Sequence, residues 1–144
     1  MQYIGHGAAR LWQGGLNVNR FETELTNTNK TPFVNAISCQ TGWFDNKNCL
    51  GEFLTSYSDT KGCVGYIGGS RNMTSDMSIY NAPPYVHGYH VEFIERIFSN
   101  ALTIAGEFLL SAKNGQWDLT NRYGYNLFGD PALNIMATGY RITK

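Results

Sequence analysis

Charge is scarce in this chain. Only 15 % of its 144 residues are Asp, Glu, Lys or Arg, against ~25 % in an ordinary globular protein. Eleven acidic groups balance eleven basic ones, so the net charge at pH 7 is zero. A neutral, charge-poor surface has no means of broad electrostatic capture, which argues against nucleic acid or anionic lipid as a partner. Long apolar runs are also missing. The richest stretch, Val91 to Leu110, is broken by Glu92, Glu95, Arg96, Ser99, Asn100 and Glu107, and a membrane span needs ~18 uninterrupted apolar residues. No basic segment followed by an apolar one opens the chain, so no secretory leader is visible. Cysteine is sparse: Cys39, Cys49 and Cys63 form neither a CxxC pair nor a zinc-type cluster. An odd count leaves at least one thiol unpaired within the chain.

What is present suffices for a packed domain. Apolar types reach 42 % and aromatics 14 %, which excludes a disordered segment, and 144 residues is one domain's worth. Met1 to Ile4 reads as a short strand running into Gly5-His6-Gly7. Leu11 to Asn19 reads as loop, with Asn19 capping a short helix through Leu25. Phe33 to Ser38 reads as a buried strand ending at Cys39, and Cys49 to Tyr57 as a helix with Leu50, Phe53 and Leu54 on one face. Cys63 to Ile67 is a second buried strand, entering a Gly68-Gly69-Ser70 loop. Apolar residues at three- and four-residue spacing predict a long helix over 89–113, stopped by Asn114-Gly115. Phe128 to Pro131 reads as a turn and Ala132 to Met136 as a final strand. This alternation favours an α/β fold with a mainly parallel sheet and helices on both faces.

Two residue types able to carry chemistry stand at the carboxyl ends of consecutive predicted strands, where open parallel sheets place their sites. His6 follows the first strand and Cys39 the second. Neighbouring strands lie ~4.8 Å apart, so both side chains can open onto one cleft. A thiol is a competent nucleophile because a few per cent is already thiolate at neutral pH. A nearby imidazole can take its proton and return it to a leaving amine. Glycines on both sides of His6 permit a tight turn and leave the Gly7 amide able to approach a substrate carbonyl. The plainer alternative is a core cysteine and a turn histidine.

The segments Tyr3-Ile-Gly-His-Gly7, Pro32-Phe-Val-Asn-Ala-Ile-Ser-Cys39, Cys49-Leu-Gly-Glu-Phe53 and Leu127-Phe-Gly-Asp-Pro-Ala-Leu133 resemble, in that order, the gingipain-type cysteine peptidases of the caspase-like clan. The resemblance implies a three-layer α/β/α sandwich and peptide-bond hydrolysis through a Cys–His dyad and a thioester. His6 matches the dyad histidine, Cys39 the nucleophile, and the Gly7 and Cys39 amides the oxyanion hole. The loop Gly68 to Asp76 matches by position a wall of the pocket for the residue before the scissile bond, although the best-known members carry an aromatic there, and Gly5, Gly68, Gly69, Ser70, Arg71 and Asn72 are the residues expected to bind substrate. Neither metal nor organic cofactor is required by this chemistry. The expected partner is a peptide or protein substrate, together with a preceding segment of the parent chain. The expected location is secreted or surface-bound and bacterial. The first two strands of a caspase-like sheet have no counterpart here, so residues 1–144 are expected to form one N-terminally truncated peptidase domain.

Other residues read more plainly. Cys49 and Cys63 are expected in the core. His87, His90 and Glu92 lack the three- or four-residue spacing of helix-borne metal ligands. Glu52 either orients a polar group near the cleft or is a solvated helix residue. Asp130 reads as turn chemistry, and Trp12, Trp43 and Tyr80 either line a groove or pack beneath loops. Two rivals stand beside the endopeptidase: a catalytically silent interaction domain of the same fold, and a transpeptidase in which an amine resolves the thioester.

Overall fold

The computed structural model describes residues 1–45, 48–74, 94–95, 99, 102–114 and 119–135. Its elements are β1 (Gln2–Ile4), β2 (Gly7–Ala8), β3 (Leu11–Trp12), a 3-10 turn (Val18–Arg20), α1 (Phe21–Glu24), β4 (Phe33–Ile37), α2 (Leu50–Ser56), β5 (Gly65–Gly69), α3 (Ala105–Asn114), α4 (Leu119–Gly124) and β6 (Tyr125–Gly129). The main sheet has the order β1-β4-β5-β6. Its first three strands are parallel, while β6 runs antiparallel to β5. A separate two-stranded hairpin pairs β2 with β3.

Strand alternation divides the side chains between two faces. On one face Val34, Ala36 and Tyr66 meet Leu50 and Leu54 of α2, with Phe21, Trp12, Val18 and Cys63 completing the cluster. On the other, Ile37 and Ile67 meet Phe108 and Ala112 of α3, with Tyr125 from the start of β6. The sheet is therefore sandwiched between helical layers. Tyr66 is fully buried, and its hydroxyl accepts from the Trp12 indole N–H at 3.2 Å, so the apolar packing leaves that hydroxyl partnered.

Several boundaries differ from the sequence expectations. Residues 132–135 form only an isolated bridge, Asn134 to Ile104, and Met136 lies outside the described residues; the last strand among them is β6, Tyr125–Gly129, so Phe128 and Gly129 belong to the sheet. The turn starts at Asp130, whose Oδ1 accepts from the Ala132 N–H at 2.8 Å. The second buried strand begins at Gly65 instead of Cys63, because Cys63 N–H bonds the Leu54 carbonyl and Val64 N–H the Pro32 carbonyl. Within the long helix expected over 89–113, residues 102–104 are not helical and α3 starts at Ala105. Residues 89–93, 96–98 and 100–101 lie outside the described residues. The Asn cap stands at Asn17, which accepts from the Asn19 N–H at 2.9 Å. Leu11 to Asn19 is not wholly loop, since Leu11–Trp12 forms the return strand of the hairpin.

Candidate active site

The register of β1 on β4 pairs Gln2 with Asn35, Tyr3 with Ala36 and Ile4 with Ile37. His6 and Cys39 each lie two residues beyond the last pair, so they occupy matching positions at adjacent carboxyl ends. The chain leaving β1 keeps to its neighbour: Gly5 N–H donates to the Ile37 carbonyl at 3.2 Å. Gly7 is packed so tightly that a Cβ there would lie 3.0 Å from the Cys39 carbonyl oxygen, 2.8 Å from Thr41 Cγ2 and 3.1 Å from Ser38 Cβ. Only glycine brings the His6 loop this close to the Cys39 loop.

The His6 backbone is held at two points. Its carbonyl accepts from the Tyr3 hydroxyl at 2.8 Å and from the Gln13 N–H at 2.9 Å, and the Tyr3 ring stacks on Trp12 with centroids 4.5 Å apart. The His6 side chain itself is exposed. The Gln13-to-His6 bond makes Gly7 and Trp12 the non-hydrogen-bonded pair of the hairpin, so the ladder does not consume the Gly7 N–H. Trp12 is part of the core, not a groove residue.

The first turn of α2 ties the two halves of the site together. Leu50 N–H donates to the Ala9 carbonyl at 2.6 Å, in the turn of the β2–β3 hairpin that follows His6. Gly51 N–H donates to the Thr41 carbonyl at 2.9 Å, two residues beyond Cys39. These are the N–H groups that a helix leaves without internal partners. Glu52 closes a capping box on the Cys49 N–H at 2.8 Å; it acts as a cap.

Cys39 is half-buried, whereas Cys49 and Cys63 are buried, and all three are free thiols. Burial pushes the Cys49 thiol up to about 11 and the Cys63 thiol up to about 12. The Cys39 sulfur accepts from the Met73 N–H at 3.3 Å and lies 3.6 Å from the Met73 carbonyl oxygen. Gln40, the next residue, adopts φ +59°, a left-handed conformation uncommon for a residue with a side chain. Its N–H donates to the Arg71 carbonyl at 2.9 Å and its side-chain amide to Asn72 Oδ1 at 2.8 Å.

The expected pocket wall is placed as follows. Gly68 and Gly69 are not in a loop; they end β5 and are buried. Ser70 is buried and donates through both N–H and Oγ to the Gly124 carbonyl, at 2.7 and 2.8 Å. Arg71 makes a two-armed ion pair with Asp45 at 2.9 and 2.6 Å and lies 5.4 Å over the Trp43 ring. The Arg71 guanidinium holds the Asp45 carboxyl below its ordinary value. Asn72 is exposed and joined to Gln40. Met73, Tyr3 and Thr41 are contacts of the site that sequence pattern alone does not single out. Tyr80, His87, His90 and Glu92 lie outside the described residues, among which no cluster of His, Cys, Asp or Glu could hold a metal ion.

A family model described as Peptidase family C25 matches residues 1–136. The chain belongs to that family. Its fold is shared with a solved structure of a protease at 21 % identity and TM-score 0.73, covering 92 % of this chain and 34 % of that one. The crystal structure of the Arg-specific cysteine proteinase gingipain R is similar at 22 % identity and TM-score 0.66, covering 92 % and 32 %. The complex of the pro- and mature domains of Porphyromonas gingivalis RgpB is similar at 20 % and 0.66, covering 92 % and 33 %. The chain thus spans about a third of the length of the structures it matches, and shares their caspase-like mainly parallel sheet. No curated protein matches it. No helix among the described residues is long and apolar enough to cross a membrane.

Proposed function

We propose that this family member is a cysteine-type endopeptidase in which Cys39 is the nucleophile and His6 the general acid and base. The observation that carries the reading is the matched placement of His6 and Cys39 beyond adjacent parallel strand ends, with Gly7 seated on the Cys39 carbonyl. In the first half-reaction the Cys39 sulfur adds to the scissile carbonyl. The Gly7 and Cys39 N–H groups stabilise the oxyanion, and His6 delivers a proton to the leaving amine. The second half-reaction lets water, deprotonated by His6, hydrolyse the thioester. The substrate class is a peptide or protein. The family points to a secreted or surface-exposed bacterial setting, with a preceding segment of the parent chain as partner.

A panel of fluorogenic peptides assayed with the 144-residue chain, and with that chain extended to the length of its solved relatives, tests this reading. Turnover should appear in at least one of the two proteins and fall by about a thousandfold or more in both Cys39→Ala and His6→Ala. Turnover that survives Cys39→Ala would refute it. Release of an amide instead of an acid when a primary amine is added would identify a transpeptidase. A folded chain in which Cys39 reacts with electrophiles no faster than Cys49 would indicate the silent interaction domain.

A further inference from the structure

A series of side chains joins the loop that carries His6 to the loop that carries Cys39. At one end the Tyr3 hydroxyl donates to the His6 carbonyl at 2.8 Å. The Tyr3 ring stacks on Trp12 with centroids 4.5 Å apart and planes 13° apart, and Trp12 stacks on Tyr66 at 6.4 Å and 16°. The Trp12 indole N–H donates to the Tyr66 hydroxyl at 3.2 Å. That hydroxyl has a second side-chain hydrogen-bonding partner in Thr41. The Thr41 and Ser38 hydroxyls share a 3.0 Å hydrogen bond, and Ser38 is the residue before Cys39. Tyr66 and Thr41 are fully buried, and Trp12 and Ser38 nearly so. Thr41 faces both loops. A Cβ on Gly7 would lie 2.8 Å from Thr41 Cγ2, while one on Gly68 would lie 2.9 Å from Thr41 Oγ1 and 2.5 Å from Tyr66 Cε1.

We propose that Tyr66 is a positioning residue for the Cys39–His6 pair. Its hydroxyl, set between Trp12 and Thr41, fixes the His6 loop against the Cys39 loop. The proposal rests on Cys39 and His6 being the nucleophile and the acid-base, and adds to that reading a group that sets their mutual placement. Apolar packing alone does not call for this hydroxyl, since phenylalanine would fill the same core. A buried polar series whose members are all partnered rigidifies and specifies one arrangement, because any unpartnered member is costly away from water. Displacement of the His6 loop carries Tyr3 and Trp12 with it and strands the indole N–H. Displacement of the Cys39 loop carries Ser38 and Thr41 and strands their hydroxyls. Each loop therefore resists moving without the other. Neither Tyr66 nor Thr41 bears on a reacting atom, so both act only through the residues they hold.

The test measures iodoacetamide labelling of Cys39 at pH 7, assigned by peptide mass spectrometry. Four proteins are compared: the unaltered chain and Tyr66→Phe, each with and without His6→Ala. Tyr66→Phe keeps the ring and removes only the hydroxyl. It should slow Cys39 labelling about threefold to tenfold, as a small misplacement of paired groups does. The slowing caused by His6→Ala should be smaller by about threefold or more in Tyr66→Phe than in the unaltered chain, because the two residues no longer meet as well. Thr41→Val keeps the branched shape and removes the other hydroxyl, so it should reproduce both effects. Thr41→Ser, which restores that hydroxyl, should return labelling toward the unaltered rate. Tyr66→Phe combined with Thr41→Val should be no slower than either alone, since all break one series. The Thr41 variants also serve where Tyr66→Phe does not fold. A folded Tyr66→Phe or Thr41→Val that loses stability but keeps the unaltered labelling rate and the full His6→Ala effect would overturn the proposal and leave Tyr66 a packing residue. Failure of the underlying reading looks different: His6→Ala would then leave Cys39 labelling unchanged in the otherwise unaltered chain, and the proposal would fall with it.

Discussion

The three thiols give a test that needs no substrate. Cys49 is fully buried and Cys63 is 7 % exposed, and burial raises them to about 11 and about 12. At pH 7.5 an ordinary accessible thiol near ~8.5 is roughly 10 % thiolate, one at 11 roughly 0.03 %, and one at 12 roughly 0.003 %. A less acidic thiolate is the better nucleophile, and a Brønsted slope of ~0.45 returns roughly 13-fold to Cys49 and 40-fold to Cys63. The net lag behind an ordinary accessible thiol is then about 20-fold for Cys49 and about 80-fold for Cys63, before any steric shielding. A small aromatic disulfide added to the folded chain should therefore titrate Cys39 in a well-separated first phase. The other two should follow only slowly, and 6 M guanidinium should merge all three. His6→Ala should slow the first phase and leave the others alone, because the imidazole is the group proposed to draw the Cys39 proton. Stopped-flow absorbance with mass-spectrometric site assignment reads both results. Cys49 or Cys63 reacting within a few-fold of Cys39 in the folded chain would refute the burial argument, and an unchanged first phase in His6→Ala would uncouple the pair.

The remaining predictions address packing and pH. Gly7→Ala should destabilise the fold by about 1–3 kcal/mol, because its methyl meets the Cys39 carbonyl at 3.0 Å and Thr41 Cγ2 at 2.8 Å; urea unfolding measures it, and an unaltered midpoint would contradict the tight approach of the two loops. Asn35→Val should stabilise by about 1 kcal/mol, since Asn35 is fully buried with both amide atoms unpartnered; a loss of stability in the same denaturation assay would mean that a buried water satisfies them. The raised Cys49 and Cys63 values require folded-state stability that is fully present below the ordinary thiol range and drains away as pH rises, between about 9 and 11 for Cys49 and between about 9 and 12 for Cys63. A Cys63→Ala chain should lose less stability than the parent across that window.

The parts of the fold visible in the sequence were those governed by local signals. Parallel adjacency of β1 and β4, and hence the matched placement of His6 and Cys39, follows from two short apolar runs that end in chemistry-bearing residues. The face of α2 is equally plain, since Leu50 and Leu54 enter the core as their spacing requires. Boundaries set by distant partners were not visible. The apolar spacing of 91–109 continues through 102–104, yet α3 begins only at Ala105. There the Ala105 and Gly106 N–H groups are taken by the Leu133 and Pro131 carbonyls, and Ile135 N–H bonds the Thr103 carbonyl. A periodicity cannot register carbonyls nearly thirty residues away. Likewise Tyr125–Gly129 is a strand because β5 offers it a full antiparallel ladder, although its Gly-Asp-Pro ending looks like a turn from the outset.

The same distinction explains why the site was only half legible. His6 and Cys39 announce themselves by residue type, but what fixes them is backbone whose partners lie far along the chain. Tyr3 and Gln13 hold the His6 carbonyl, the Ala9 and Thr41 carbonyls bind the first turn of α2, and the Arg71 carbonyl holds the Gln40 N–H. None of these bonds depends on a side chain with chemistry of its own except the Tyr3 hydroxyl. Positioning by main-chain groups tolerates wide sequence change, provided the glycines at close approaches are kept. It therefore follows that Gly7 and Gly69, which carry no functional group but on which a Cβ would meet the Cys39 and Ser38 carbonyl oxygens, constrain the backbone around the two residues proposed to carry the chemistry.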